Sequence, residues 1–196
     1  MDEKGFYCPR CRKYVSSHTV HKTDVLTVKE LTIEIVGQIR VCDECGSELF
    51  DRELEKEIET AAFEAYRKRK DMLKPDEIKR IRMQYGLSQV SFARLLGFGD
   101  KTIARYENGS LQDDAPNSLI YLMNNPANML DMLQRFGRDR LCDEEFRNAM
   151  RLARGLIYFK LSVYKTLFVD TTGNQEQYSI RQSSQTGNNV KWRSAG

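Results

Sequence analysis

Two Cys-x-x-Cys pairs constrain this 196-residue chain more than any other feature. Cys8 and Cys11 form the first pair, and Cys42 and Cys45 form the second. Four thiolates in two such turns supply the complete tetrahedral ligand set of a structural zinc ion. Because protein atoms would fill every coordination position, no place remains for an activated water. We therefore expect one Zn²⁺ that holds the fold together and catalyses nothing.

Other roles for the cysteines and neighbouring histidines are weaker alternatives. A redox Cys-x-x-Cys motif needs only one pair and normally opens a helix. His18 and His21 lie between the two pairs and are alternative metal ligands, but a full set of four cysteines favours a surface or strand position for them. The fifth cysteine, Cys142, has no partner motif, and we expect a half-buried thiol in a helical segment.

The composition is that of a globular protein, with 40% hydrophobic and 30% charged residues. No run of eighteen apolar residues occurs, and the first ten residues contain no apolar signal core, so we expect a cytoplasmic protein without a membrane segment. A reducing compartment favours metal binding over disulfides. The net charge of +3 is too small to establish a nucleic-acid partner by itself.

The segment between the cysteine pairs has the alternation of β-strands. Apolar and polar residues alternate over residues 25–36, Gly37 interrupts the pattern, and Ile39 and Val41 resume it into the second pair. This pattern predicts two or three antiparallel strands, the last of which delivers two ligands. So small a sheet needs metal binding, worth about 10–16 kcal/mol, to become a domain.

Residues 51–74 are predicted to form a helical, partly exposed linker, because apolar residues recur at spacings of three and four. Charge changes sign from the mainly acidic residues 51–64 to the mainly basic residues 67–82, which indicates two partners of different character. The alternative is a solvated helix with internal ion pairs. The acidic residues are Asp51, Glu53, Glu55, Glu57, Glu59 and Glu64, and the basic ones that follow are Arg67, Lys68, Arg69, Lys70, Lys74, Lys79, Arg80 and Arg82.

The next segment, residues 75–136, has the helix-capping and turn residues of a helix-turn-helix domain. Glycines follow each of three short predicted helices, a serine precedes the second, and a small residue stands where the helices would cross. Two further helices open at prolines. The residues that carry this pattern are Pro75, Gly86, Ser88, Ala93, Gly97, Gly109, Pro116 and Pro126.

The third of these helices carries side chains suited to reading DNA. Lys101, Thr102 and Arg105 share one face, whereas Ile103 and Tyr106 point to the opposite, core-facing side. Arginine can hold guanine by two hydrogen bonds, lysine can contact guanine or phosphate, and the threonine methyl can contact thymine. We further expect phosphate contacts from the residues Gln89, Arg82 and Lys79.

The remainder of the chain divides into a helical extension and a tail. Residues 137–169 contain an amphipathic pattern with Asp143 as its cap, and their function is not readable. Residues 170–196 are polar with few apolar anchors, so we expect a flexible tail. The predicted architecture is therefore an α+β zinc domain over residues 1–50, the linker, an all-α helix-turn-helix domain, and the helical extension.

The string from Ser88-Gln89 through Arg105-Tyr106-Glu107-Asn108-Gly109 resembles the XRE/Cro repressor helix-turn-helix. Together with the cysteine pairs, it resembles the MqsA-type antitoxins, also called YgiT-type zinc-finger proteins, over about residues 6–136. The resemblance implies an N-terminal zinc domain that binds a toxin, usually an mRNA-cleaving ribonuclease. It also implies a homodimer, with contacts from the Pro116–Leu133 run, that binds a double-stranded operator and represses its own operon. In this family Lys101 and Arg105 fall at base-reading positions.

Two other function classes stay open at this point. A phage or mobile-element regulator without a toxin would use the zinc domain for protein interaction or dimerisation. A nuclease-like or redox enzyme is the third class, and it lacks a catalytic constellation because the chain has only two histidines and saturated metal ligands. We therefore expect a DNA-binding repressor and antitoxin rather than an enzyme.

Overall fold

The computed structural model describes residues 5–169, with side chains up to residue 163. Our expectation of a flexible tail over residues 170–196 lies outside the described residues. The chain divides into two units, residues 1–158 and residues 159–196. Within the described residues, the first unit contains all five strands and the helices up to residue 158, and the second contains the last turns of the final helix, up to residue 169.

Antiparallel strands form the N-terminal part. The strands β1 (Phe6–Cys8) and β2 (Lys13–Val15) pair as a small ribbon, and β3 (Ser17–Val28), β4 (Leu31–Cys42) and β5 (Glu48–Leu49) form a second sheet in that order. A two-residue turn joins β3 to β4, with Lys29 in the left-handed conformation at φ 50°. The predicted strands are therefore one long hairpin with its turn at Lys29-Glu30.

Gly37 does not interrupt the hairpin, contrary to the sequence expectation. It lies within β4, paired with Lys22 of β3. A Cβ on Gly37 would overlap the side chain of Ile58 on the helix packed across the strand. The glycine is therefore explained by the close approach of a helix rather than by a break in the strand.

That helix, α1 (Arg52–Lys70), begins at Asp51, whose side chain accepts hydrogen bonds from the backbone of the first turn. It is not a loose connection between two parts of the chain. Ala62 and Tyr66 on its inner face pack with Val28 and Ile33 of the hairpin in a hydrophobic core. The acidic residues on the outer face remain exposed.

Eight helical segments follow α1 in the part of the chain that ends at residue 169. After α1 come α2 (Pro75–Met83), α3 (Gln89–Leu95), α4 (Thr102–Glu107), α5 (Asp114–Leu122) and α6 (Pro126–Met132), then a π-helical turn (Leu133–Gly137), α7 (Arg138–Arg140) and α8 (Asp143–Val169). Ser88 caps α3 through its side chain, and Gly86, Gly97 and Gly109 have positive φ after the helices that they follow. Two helices begin earlier than the sequence predicted. The helix α5 begins at Asp114 rather than at Pro116, and Asp143 is the first residue of α8 rather than its cap.

The helical core includes part of residues 137–169, the segment that we predicted as a helical extension. Ala149 and Ala153 of α8 are fully buried in the same cluster as Ile78, Phe92 and Ile103. Small residues at a spacing of four let α8 approach closely, so that a Cβ on Gly86 would lie 2.7 Å from Asn148 Nδ2 and 3.1 Å from Leu152 Cδ1. Cys142 is exposed rather than half-buried. Residues 143–156 thus complete the core of the helices before them.

Polar contacts join the hairpin and α1 to the loop that follows α4. Lys29 Nζ donates to Asp113 Oδ1 at 2.7 Å. Arg67, 4% exposed, donates through Nη2 to the carbonyls of Gly109 at 2.5 Å and Ser110 at 3.3 Å. Because the Arg67 charge is largely removed from water, these carbonyls offset part of its desolvation. The end of α4 is therefore positioned partly by the N-terminal half of the chain.

Candidate metal centre and nucleic-acid interface

The structure brings the four paired cysteines together. Cys8 ends β1 and Cys42 ends β4, while Cys11 and Cys45 lie in the turns that follow. All four Sγ atoms lie within 4.8 Å of one another, and Cys8 Sγ is 3.6 Å from Cys45 Sγ. A tetrahedral site with metal–sulfur bonds of about 2.3 Å has sulfur–sulfur edges of about 3.8 Å. The tetrad therefore fits a structural metal ion.

The electrostatics of the tetrad favour a cation. Hydrogen bonds with the side chain and backbone of Ser47 lower the pKa of Cys45 to about 6, so one thiolate forms readily. A hydrogen bond with Cys45, together with burial and the other cysteines, raises the pKa of Cys11 to about 12. Four thiolates this close repel one another unless a cation is bound among them, and a bound divalent ion removes that penalty.

The two histidines point to other partners. His18 Nδ1 lies 2.5 Å from Asp43 Oδ1, and both side chains are well exposed. His21 Nε2 lies 3.4 Å from Gln38 Nε2. Among the described residues, the one cluster suited to a metal ion contains cysteines alone.

The side chains of α4 divide as its sequence predicts. Lys101, immediately before the helix, and Arg105 are exposed, and Thr102 is half-buried. Ile103 is fully buried and Tyr106 is 7% exposed, both within the helical core. The helix thus presents a polar, positively charged face away from the core.

Arg82 is not placed to contact a phosphate, which corrects our sequence expectation. Its Nε and Nη2 donate to Glu107 Oε1 and Oε2 at 2.6 and 2.9 Å, and its Nη1 donates to the Leu87 carbonyl at 2.7 Å. The two side chains of this ion pair are 11% and 4% exposed. The guanidinium therefore serves to join α2, the α2–α3 turn and the end of α4.

Gln89 and Lys79 lie beside the same ion pair. Gln89 Nε2 donates to Glu107 Oε2 at 2.7 Å, which leaves one of its two amide hydrogens for another acceptor. Lys79 is exposed, and its positive charge helps to lower the pKa of Glu107. Burial alone would raise the pKa of Glu107, but the hydrogen bonds from Arg82 and Gln89 outweigh burial and hold this pKa below its usual value.

Several organising residues are not evident from the sequence. Glu107 joins α2, α3 and α4 through Arg82 and Gln89. Its place in the repressor-like string is the one sequence signal that indicates this role. Buried Gln112 donates from Nε2 to the Leu73 carbonyl at 2.9 Å, and Asn117 Oδ1 accepts from the Leu73 amide at 3.0 Å. Such contacts link residues about forty positions apart, and local periodicity carries no signal for them.

The α1 surface places an apolar groove beside acidic side chains. The groove lies between α1 and β3, and Phe50 at its edge is 76% exposed. Two exposed carboxylates, Glu55 and Glu59, line the groove together with two exposed basic residues, Arg52 and Lys56. The carboxylates continue beyond the groove along the exposed outer face of α1.

No helix within residues 5–169 is both long enough and apolar enough to cross a membrane. The family model of the antitoxin component of bacterial toxin–antitoxin systems, MqsA, matches residues 6–135, which is 130 of the 196 residues. No individual curated protein matches the chain. The matched region contains the cysteine tetrad, the hairpin with α1, and helices α2–α6. The chain belongs to the MqsA antitoxin family.

Proposed function

We propose that this antitoxin is a zinc-stabilised, homodimeric repressor that binds DNA upstream of its own gene and neutralises a toxin encoded beside it. The observation that carries the DNA-binding part is the construction of α4. Buried Ile103 and Tyr106 hold the helix on the core while Lys101 and Arg105 extend from it. The Arg82–Glu107 ion pair fixes the end of the helix.

In this proposal α3 and α4 act as the two helices of an XRE/Cro-type helix-turn-helix, with α4 in the major groove. Arg105 and Lys101 then contact base edges, and Thr102 contacts a base or the backbone. Lys79 and the remaining amide hydrogen of Gln89 contact phosphates, which position the protein without reading sequence. Arg82 supports this surface from behind rather than contacting DNA.

Replacement of Arg105 tests the assignment of α4. Loss of a two-hydrogen-bond guanine contact costs about 1–3 kcal/mol of discrimination, so Arg105→Ala should reduce binding to the upstream DNA much more than binding to unrelated DNA. Arg52→Ala on exposed α1 is the matched control and should bind like the unchanged chain. Fluorescence anisotropy measures both affinities, and circular dichroism confirms the helical content. Unchanged discrimination by Arg105→Ala would refute the assignment.

The metal in this proposal is Zn²⁺, held by Cys8, Cys11, Cys42 and Cys45. Four sulfur ligands in a tetrahedral arrangement are the ordinary set for structural zinc. The ion would join β1 to the end of β4, where the small cluster around Cys8, Val15 and Leu49 has little apolar area of its own. Its contribution is folding energy, with no role in catalysis.

The acidic face of α1 is proposed to bind the toxin. A toxin that cleaves RNA needs a basic substrate-binding surface, and the exposed carboxylates of α1 complement such a surface. The apolar groove beside Phe50 would add buried area at the centre of the contact. Membership of the antitoxin family favours this partner over a regulator that has none.

Charge reversal separates this surface from the DNA-binding face. Glu55→Lys with Glu59→Lys should abolish rescue of cells that express the neighbouring gene, because two repulsive charges would face the basic partner. Glu144→Lys on α8 is an exposed control and should rescue normally. Operator binding should be retained in both variants. Full rescue by the doubly reversed chain would remove α1 from the toxin interface.

The dimer is proposed to use the exposed apolar side chains of α5. Tyr121 and Leu122 are 63% and 50% exposed at the end of this helix, within the run that contributes dimer contacts in the related antitoxins. A two-fold dimer would place two α4 helices about 34–36 Å apart on a palindromic operator. Tyr121→Asp should yield monomers in analytical ultracentrifugation, and a persistent dimer would place the interface elsewhere.

A further inference from the structure

A row of arginines lies on the solvent side of α8, outside the residues that match the antitoxin family. Arg147, Arg151 and Arg154 are spaced by four and three residues, so they share one helix face, and all three are exposed. The opposite face carries Ala149 and Ala153, which are fully buried. The row is therefore held on a rigid element of the helical core.

Most other arginines near this region are already engaged. Arg94 pairs with Asp100 at 2.7 Å, Arg138 stacks over Phe146, and Arg140 donates to a carbonyl of α3. Asp143 and Glu144 lie one turn before Arg147 and reduce its effective charge. Arg151 and Arg154 have no carboxylate within ion-pair distance among the described residues. The end of the row is thus its net positive part.

The row runs beside the turn that leads into α3. Glu145 accepts a hydrogen bond from Ser91 of α3, and one turn later Asn148 reaches Gly86, where a Cβ would lie 2.7 Å from Asn148 Nδ2. Arg151 Nη2 donates to Asn148 Oδ1 at 2.7 Å, which turns its guanidinium towards this same side. The helix α8 therefore brings Arg151 to the side of the α2–α3 turn, and Arg154 follows three residues later on the same exposed face.

A side-chain hydrogen bond joins the start of α3, just after that turn, to the end of α4. Gln89, three residues after Gly86, donates to Glu107, the last residue of α4. A duplex seated on Lys101 and Arg105 would continue past this edge of the domain. A positive charge at that edge would then lie near the phosphates that flank the bases in contact with α4.

We propose that Arg151 and Arg154 bind the phosphate backbone of DNA beside the site contacted by α4. This inference rests on the proposed DNA-binding function and extends its surface to a helix beyond the family match. Arginine suits the role because its planar guanidinium can donate two hydrogen bonds to one phosphate and stays charged at all relevant pH values. Such contacts add affinity without adding sequence preference.

The salt dependence of binding tests the proposal. Each neutralised phosphate contributes about 0.9 to the slope of log K against log salt concentration, so Arg151→Gln with Arg154→Gln should reduce the slope by about 1.8. Between 50 and 200 mM KCl the variant should then lose about 12-fold less affinity than the unchanged chain. The ratio of affinities for upstream and unrelated duplexes should not change.

Two matched variants of the full chain control for charge and folding. Arg10→Gln with Arg52→Gln removes the same charge from exposed positions in the N-terminal part and should keep the original slope. Arg151→Lys with Arg154→Lys keeps both charges and should also retain it. A slope for the α8 glutamine variant within about 0.5 of the original, or an equal fall in the N-terminal control, would overturn the assignment of α8. Failure of the unchanged chain to bind any duplex would overturn the proposed function together with this inference.

Discussion

At the scale of single residues, the chemistry of this chain depends on which charged groups are buried with partners. Arg82 and Glu107 form a nearly buried ion pair that also engages Gln89 and the Leu87 carbonyl. Exposed ion pairs such as Arg94–Asp100 are worth little by comparison. The buried pair therefore determines how firmly α4 is held, although it touches no predicted ligand.

Removal of one partner of this pair should be costly. Arg82→Ala leaves Glu107 charged and buried without its cation, and the loss of a buried partner typically costs about 3–5 kcal/mol. Arg80→Ala, exposed on the same helix, should change stability by no more than about 0.5 kcal/mol. Urea unfolding followed by circular dichroism compares the two. Equal effects would show that the ion pair contributes little to the fold.

The same pair predicts a dependence on pH. Because the pKa of Glu107 is held below its usual value in the folded chain, its stabilising contribution is complete above the ordinary glutamate pKa, about 4.3, and disappears as the pH falls through the lowered value. The stability difference between the unchanged chain and Glu107→Gln should therefore shrink from pH 7 to pH 3. A difference that stays constant over this range would contradict the assignment.

The cysteines offer a direct comparison between metal ligands and an isolated thiol. Cys42→Ser removes one of four thiolates from the end of β4, so purified protein should hold much less zinc and unfold at a lower temperature. Cys142→Ser alters an exposed cysteine outside the tetrad and should keep the full zinc content. Elemental analysis gives the stoichiometry. Undiminished zinc in Cys42→Ser would exclude the tetrad as the site.

At the scale of elements, two close approaches determine how helices are placed. Gly37 admits Ile58 of α1 against the hairpin, and Gly86 admits α8 against the α2–α3 turn. At Gly37 the missing side chain lets α1 come closer than a Cβ would permit, whereas at Gly86 a Cβ would displace the Asn148 amide and the positive φ itself favours glycine. Glycine in the middle of a strand was therefore a packing signal, although alternation alone indicated an interruption.

The Gly37 contact can be tested by substitution and rescue. Gly37→Ala should destabilise the chain by about 1–3 kcal/mol, because the new methyl group overlaps Ile58. In a chain that already carries Ile58→Ala, the Gly37 substitution should destabilise less, because the shorter side chain leaves space for the new methyl group. Gly155→Ala in α8 meets no neighbouring atom and should stabilise by about 0.5–1 kcal/mol. Additive effects of the Gly37 and Ile58 substitutions would show that the two positions do not interact.

At the scale of the whole molecule, the sequence predicted the parts better than their connections. Cysteine spacing, helix caps and a periodicity of three or four residues are local signals. They predicted the grouping of the four cysteines, the start of α1 and the buried face of α4. The Arg82–Glu107 pair, the Arg67 contacts and the burial of α8 link residues far apart in the chain. An amphipathic pattern shows that α8 has an apolar face but not what covers it.

These connections change how the chain can be divided. A fragment of residues 75–136, the helix-turn-helix domain predicted from the sequence, would lose Ala149 and Ala153 from its core. It would also lose the Arg67 contacts to Gly109 and Ser110. We therefore expect a fragment that extends to residue 158 to be markedly more stable than one ending at residue 136.

We propose that one chain combines a metal-bound N-terminal part with a helix, α4, that binds the DNA upstream of its own gene. Footprinting of the purified full chain on that DNA is the direct test. We expect two protected half-sites whose centres lie about one helical turn, or a whole number of turns, apart. Protection should be lost in Arg105→Ala and kept in Arg52→Ala. Absence of any protected site at protein concentrations that coat unrelated DNA would contradict it.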